Sequence, residues 1–312
     1  MTDEPRPRDF HRFIGVHLGG GRGKTTAVAR FERSGSNLRL AEARVRQGHR
    51  GGGEGESVGA DNALFRDDVL VSYLDRWHDA NTVVAINAPL TLPPCIRCQL
   101  ACPGVSACEV PVVRWMRTYA HTLDPRKGRS DPGKPAVTPY TQRAVDLLFA
   151  HGGLKPRESL GQGMGPLSAR AAYLRRALSP RLRLHENLIE VHPPATVIRL
   201  FGQDVERGIR LGDSTRVWEL RKRVLRDLPC ELDYVWPEAV VRSPHIFESV
   251  ICAWTAALWA NHSWRGPTDL LPQGSDELEK TGPLAPALEA FAQLWLEDGW
   301  IWAPPNGEAT AS

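Results

Sequence analysis

The chain has 312 residues, 42% of them hydrophobic and 24% charged, with a formal net charge of +3. These are ordinary globular values, which exclude a fibrous or wholly disordered chain, and no apolar run approaches the ~18 residues of a membrane span. The opening MTDEPRPRDFHRF lacks a secretory apolar stretch, so the expectation is a cytoplasmic protein that engages no membrane.

RFIGVHL (12–18) reads as a buried strand and is followed by the glycine turn GGGRG at 19–23. KTTAVARFE (24–32) and NLRLAEARV (37–45) read as two more strands, joined by RSGS, which has hairpin composition. GGGRGKTT is not a phosphate-binding P-loop. The glycine required five residues before Gly23 is Leu18, and the run leads into a strand rather than a helix. A hairpin turn is expected there. QGHRGGGEGESVG (47–59) reads as a glycine-rich loop. A helix is predicted at about 61–78, with Leu64, Val69, Leu70, Tyr73, Leu74 and Trp77 as its stripe. TVVAINAPL (82–90) has the pattern of a central parallel strand.

Residues 91–166 break this regularity with four cysteines, many prolines, KGRSDPGKP (127–135) and GQGMGP (161–166), which is insert composition. Order returns with the helix LSARAAYLRRAL and the strand NLIEVHPP (187–194). Helices are then predicted at 194–202, 214–228, 244–261 and 283–298, and WIWAP follows. Three strands, a helix, then alternating strands and helices imply an α/β mixed sheet with flanking helices on both faces.

Charge is segregated along the chain. Residues 114–183 carry 14 basic against 4 acidic side chains, a net of +10, and residues 184–312 carry a net of −8. A block this basic points to nucleic acid, DNA or RNA, through phosphate neutralisation. Neutralisation by the acidic last third of the same chain is the other reading. Arg143, Arg170, Arg175 and Arg176 are the candidate phosphate contacts, with Tyr140 beside Arg143 for stacking.

Cys95, Cys98, Cys102 and Cys108 form a C-x2-C-x3-C-x5-C run. In a cytosolic chain clustered thiols point to metal rather than to disulfides. Zinc ribbons separate two knuckles by a dozen or more residues. One short loop of four thiols, with Pro103 directly after the third, is closer to iron–sulfur ligation, and zinc is the alternative. Val112, Trp115 and Met116 would seat this loop on the core.

The first strand at 12–18, AINAPLTLPP (85–94), YTQR (140–143), IEVHPPATV (189–197), FESVICAWTAAL (247–258) and DGWIWAP (298–304) occur in an order that resembles the domain-of-unknown-function 429 family. Its members are described as predicted nucleases with a ribonuclease H-like fold. The resemblance implies that residues 11–93 and 186–304 form that fold around a basic, cysteine-rich insert at 94–185. It also implies metal-dependent phosphodiester hydrolysis. The four places where the family carries acidic residues are His17, Asn87, Glu190 and Glu248 in this chain.

Cleavage with two hard cations needs three or four oxygen ligands at the carboxyl edge of adjacent strands. Here His17 and Asn87 stand for two carboxylates, so a site built on Glu190 and Glu248 would favour Mn²⁺ over Mg²⁺. His245 lies three residues before Glu248 and shares its helix face. Glu190 and His192 share a strand face, and a buried salt bridge to an arginine is the other reading of Glu190. Two further functional readings stay open. One is a catalytically inactive nucleic-acid-binding module of this fold. The other is an actin-like phosphoryl transferase, which normally needs an Asp where His17 stands.

Overall fold

Phe13, Ile14 and Val16, like Val83, Val84, Ala85 and Ile86, are fully buried. Strands apolar on both sides must be covered on both sides, and this dictates the architecture seen in the computed structural model. The structure describes residues 9–21, 24–46, 64–123, 137–154, 156–161, 163–232, 237–262, 264–270 and 284–305. The glycine-rich 47–59 and the basic 127–135 lie outside the described residues.

The strands are β1 (Arg12–His17), β2 (Ala27–Ser34), β3 (Asn37–Arg44), β4 (Thr82–Asn87), β5 (Leu188–Val191) and β6 (Ile301–Trp302). They form one mixed sheet in the order β3-β2-β1-β4-β5-β6. The first three pair antiparallel, whereas β1–β4, β4–β5 and β5–β6 are parallel. The glycine run joins β1 to antiparallel β2 and opens no helix.

Alternation divides the sheet into two faces. Phe13, Val83, Ala85 and Ile189 enter one core, and Ile14, Val16, Val84, Ile86 and Leu188 enter the other. On the second face lie α1 (Asp67–Trp77) and α5 (Gly165–Leu178), through Leu70, Tyr73, Leu74, Leu174 and Leu178. Between them in sequence come α2 (Pro94–Arg97), α3 (Pro111–Leu123) and α4 (Ala144–His151). After β5 come α6 (Pro193–Phe201), α7 (Gln203–Leu211), α8 (Ser214–Arg226), α9 (Pro237–Arg242) and α10 (Pro244–Asn261). α11 (Leu284–Phe291) and α12 (Trp295–Asp298) precede β6, so the helix expected over 283–298 is broken in two.

α10 is apolar nearly all round and is sunk into the first face, as such a helix must be. Gly15 permits this. A Cβ there would stand 2.0 Å from the Ser249 carbonyl oxygen and 2.3 Å from the Ala253 nitrogen. Only the bare backbone of β1 admits the helix at this depth.

The segment between β4 and β5 carries more helix than its prolines imply. Val112, Val113, Trp115, Met116, Ala120 and Leu123 form the buried face of α3, and α4 buries Val145, Leu148 and Phe149. Both join the α10 core, while α5 covers the other face. Among the described residues no helix is long and apolar enough to cross a membrane.

Candidate active site

His17 and Asn87 close β1 and β4 and are register partners, so both side chains stand at the carboxyl edge of the sheet on the α10 side. The start of α10 meets them there. Ser243 caps the helix by accepting from the Ile246 N–H at 3.3 Å, Pro244 follows, and His245 and Glu248 project from the first turns. His17 Nδ1 lies 2.8 Å from Glu248 Oε2, and Asn87 Nδ2 donates to the same oxygen at 2.8 Å. His245 Nδ1 lies 3.0 Å from His17 Nε2. Four of the five expected catalytic residues are thus drawn together, 16% and 31% exposed at His17 and Glu248.

The carboxylate can only accept, so His17 Nδ1 carries its proton toward Glu248. The other His17 nitrogen then faces His245, as a proton acceptor or as a ligand. Burial alone would raise the Glu248 pKa, but the His17 hydrogen bond and the His17, His192 and His245 rings outweigh it and hold the group below its ordinary value. His245 is lowered by burial first, then by His17, Arg221 and Lys24, against the pull of Glu248. His192, just past β5, is pushed down to about 4, mainly by burial, with Glu248 opposing and Arg157 adding. Lys24 and Arg157 are exposed. The site therefore has one carboxylate, two imidazoles (His245 and His192) whose protonation is disfavoured by burial, and cationic charge nearby.

Glu190 does not join this group. β5 pairs with β4 so that Glu190 is opposite Ile86, one residue short of Asn87, and a one-residue offset puts it on the other side of the sheet. Its carboxylate is fully engaged there. Arg143 Nη1 and Nη2 each donate to one oxygen at 2.7 Å, and the Leu90 N–H adds a bond of 2.8 Å. The salt-bridge reading of Glu190 is the one the structure bears out.

This pairing also corrects the expectation for Arg143, which is 1% exposed and meets no surface. Its guanidinium also holds Asp146 at 2.9 Å and Thr91 at 3.0 Å. Burial would lower it, but the two carboxylates more than compensate and keep it permanently charged. The network continues through the Thr91 hydroxyl, which donates to the Asp298 carbonyl at 2.7 Å. Asp298 Oδ2 in turn accepts the Ala144 N–H at 3.0 Å.

Two more of the expected phosphate contacts are engaged internally. Arg170 is a strut that holds Asp67 at 2.6 Å, the Gly19 carbonyl at 2.7 Å and the Thr26 hydroxyl at 2.8 Å. Arg175 donates to the Leu90 carbonyl at 3.0 Å. Of the four arginines only Arg176 is exposed. Lys24, Arg157 and Arg221 supply the positive charge at the site instead. No motif marks Arg157 or Arg221, because only the fold brings them beside α10 and β5.

An all-oxygen, two-cation centre does not fit this donor set, which offers Glu248 as its one carboxylate. Imidazole and carboxylate donors such as His17 and Glu248 are of the kind a nitrogen-tolerant ion such as Mn²⁺ or Zn²⁺ takes. Among the described residues no three His, Cys, Asp or Glu side chains are arranged so that they could hold a metal ion.

Of the expected metal-binding cysteines, Cys108 is buried, Cys95 half-buried, and Cys98 and Cys102 exposed, all as free thiols. Cys95 lies in α2 and the other three on the loop from α2 to α3.

A family model described as "Protein of unknown function (DUF429)" matches residues 20–277. Neither a curated protein nor a solved structure matches the chain.

Proposed function

Starting from the fact that this chain belongs to the DUF429 family, we propose that it is a divalent-cation-dependent phosphodiesterase acting on nucleic acid, with its chemistry at His17, Asn87, His245 and Glu248. The observation that carries this reading is the convergence of the four side chains at the carboxyl edge of β1 and β4, with Lys24, Arg157 and Arg221 near. The exposed cationic charge of Lys24 and Arg157 suits an anionic phosphodiester and disfavours a cationic or apolar substrate.

Glu248 and Asn87 orient the His17 ring. His17 and Glu248 would hold the cation. The cation would lower the pKa of bound water and offset charge on the phosphate. His245, whose protonation is disfavoured by burial and by its cationic neighbours, keeps Nε2 to take a proton in the reaction. Lys24 and Arg157, both exposed, would draw the phosphate backbone to the edge of the sheet.

The test is cleavage of single-stranded, duplex and branched DNA and RNA with Mn²⁺, Zn²⁺, Mg²⁺ or chelator. Mn²⁺ should support more cleavage than Mg²⁺, and His17→Ala or Glu248→Gln should abolish turnover while leaving binding within about threefold. Cleavage unaffected by either substitution would overturn the assignment. The loss of three of the four carboxylates from the site, to His17, to Asn87 and to the Arg143–Glu190 pair, favours a second reading as a non-cleaving nucleic-acid-binding module. Salt-sensitive binding without cleavage under every ion would select it.

A further inference from the structure

We infer that α8 and the adjoining end of α9 bind one unpaired nucleic-acid strand, with a base stacked on Trp218. This surface deepens the nucleic-acid reading of the His17 cluster and rests on it for the direction in which the strand runs. α8 carries Arg216, Arg221, Lys222, Arg223 and Arg226 against Glu219, although residues 184–312 as a whole carry a net of −8. A basic helix within an acidic region concentrates positive potential at one place. All but Arg221 of these basic side chains are exposed. Lys222 pairs with Glu219 at 2.8 Å, and Arg223 and Arg226 approach Asp227 at 3.8 and 3.5 Å. Exposed pairs of this kind contribute little, so exchanging the carboxylate for a phosphate costs little.

Trp218 selects the form of the nucleic acid. It is a large aromatic side chain left 36% exposed among these cations. The Arg242 guanidinium lies 5.3 Å from its ring centroid, and Arg242 is itself exposed, paired with Glu238 across α9. A ring so placed offers its π-face to a base, with a cation beside it for the adjoining phosphate. Duplex bases are already stacked on one another, whereas those of an unpaired strand are free to take this position.

The surface runs into the His17 cluster. Arg221, one turn beyond Trp218 on α8, donates to the Val241 carbonyl at 2.8 Å and lies 5.4 Å from the Phe247 ring centroid. Phe247 stands between His245 and Glu248, and Arg221 adds to the positive charge felt by His245. Arg242 is three residues before His245, a backbone separation of about 11 Å at most. A strand with one base on Trp218 therefore reaches the carboxyl edge of β1 and β4 within a few nucleotides.

Fluorescence anisotropy with the full chain provides the test, in chelator so that binding is read without cleavage. The probes are a labelled thymidine homopolymer and a mixed-sequence DNA duplex of the same length. The single strand should bind at least about tenfold more tightly, and Trp218→Ala should weaken its binding by about 5- to 100-fold, the loss of one stacked base. Trp218→Phe keeps a stacking face and should stay within about threefold of wild type. Lys222→Glu with Arg226→Glu should weaken binding and flatten its salt dependence. Circular dichroism checks the fold of each variant. Single-strand binding that depends on Trp218, in a chain that cleaves nothing, would uphold this surface and remove the catalytic reading. Cleavage that needs His17 and Glu248, with Trp218→Ala binding as wild type, would do the reverse. Equal affinity for the duplex, or a wild-type chain that binds no single strand at low salt, would also overturn the inference.

Discussion

Replacing Arg143 by methionine removes four hydrogen bonds at once: two to Glu190, one to Asp146 and one to Thr91. Glu190 is then left as a buried carboxylate holding the Leu90 N–H alone. Breaking one side of a buried ion pair costs about 3–5 kcal/mol. At roughly 2.1 cal/mol/K per residue, a chain of this length unfolds with an entropy of about 0.65 kcal/mol/K, so the melting temperature should fall by about 5–8 °C. The double substitution Arg143→Met with Glu190→Leu removes the stranded charge and fills the space with apolar groups. It should recover most of the loss, since Asp146 keeps the backbone N–H at 143 and both groups of Ser159. Urea unfolding followed by tryptophan fluorescence measures both. A single variant within about 1 kcal/mol of wild type, or a double variant no better than the single, would refute the structural role assigned to this pair.

Gly15→Ala places a methyl group inside the Ser249 carbonyl; α10 must retreat, at a cost of about 1–3 kcal/mol or more, and Mn²⁺-dependent cleavage should fall with it because Glu248 moves off His17. His192 binds its proton at about 4 when folded against an ordinary 6.5. The unfolded chain therefore protonates first, and stability is lost as pH falls from 6.5 to 4. The ceiling is about 3 kcal/mol, read as the difference between wild type and His192→Gln in urea titrations at pH 7 and pH 4.5. Lys24→Glu reverses a charge that lowers His245, so the acidic limb of the cleavage profile should move to higher pH; an unmoved limb would remove His245 from the proton-transferring role.

β1 and β4 were legible because their apolar runs are unbroken, β2 and β3 through the RSGS turn that joins them, and the start of α10 through the His245–Glu248 spacing, whereas the two-residue β6 carried no such signal. What the sequence could not supply is register. IEVHPP marks Glu190 as a carboxylate in an apolar strand, but whether it meets Asn87 or turns away depends on pairing Ile86 rather than Asn87 with it. Composition likewise hid α3, because its flanking prolines and cysteines drown a good helical stripe. Within the +10 block, the arginines expected on the surface turned inward for a physical reason. Arg143 and Arg170 find acceptors at Glu190 and Asp67, 47 and 103 residues away, and no local pattern encodes such partners.

The network around Asp298 also sets a timetable for folding. The N-terminal end of α4 finds its acceptor in Asp298, Thr91 bonds the same residue's carbonyl, and β5 gains its outer neighbour only at Ile301 and Trp302. On a ribosome adding ~5–20 residues per second, roughly 6–20 s separate the synthesis of β5 from that of β6. Through that interval α6 to α10 are still being added, while one strand edge and one helix end stay open. An unpaired edge is a template for a wrong partner. The nascent chain is therefore most exposed to misassembly before β6 is made, and chaperone engagement or aggregation should concentrate at lengths between β5 and Asp298.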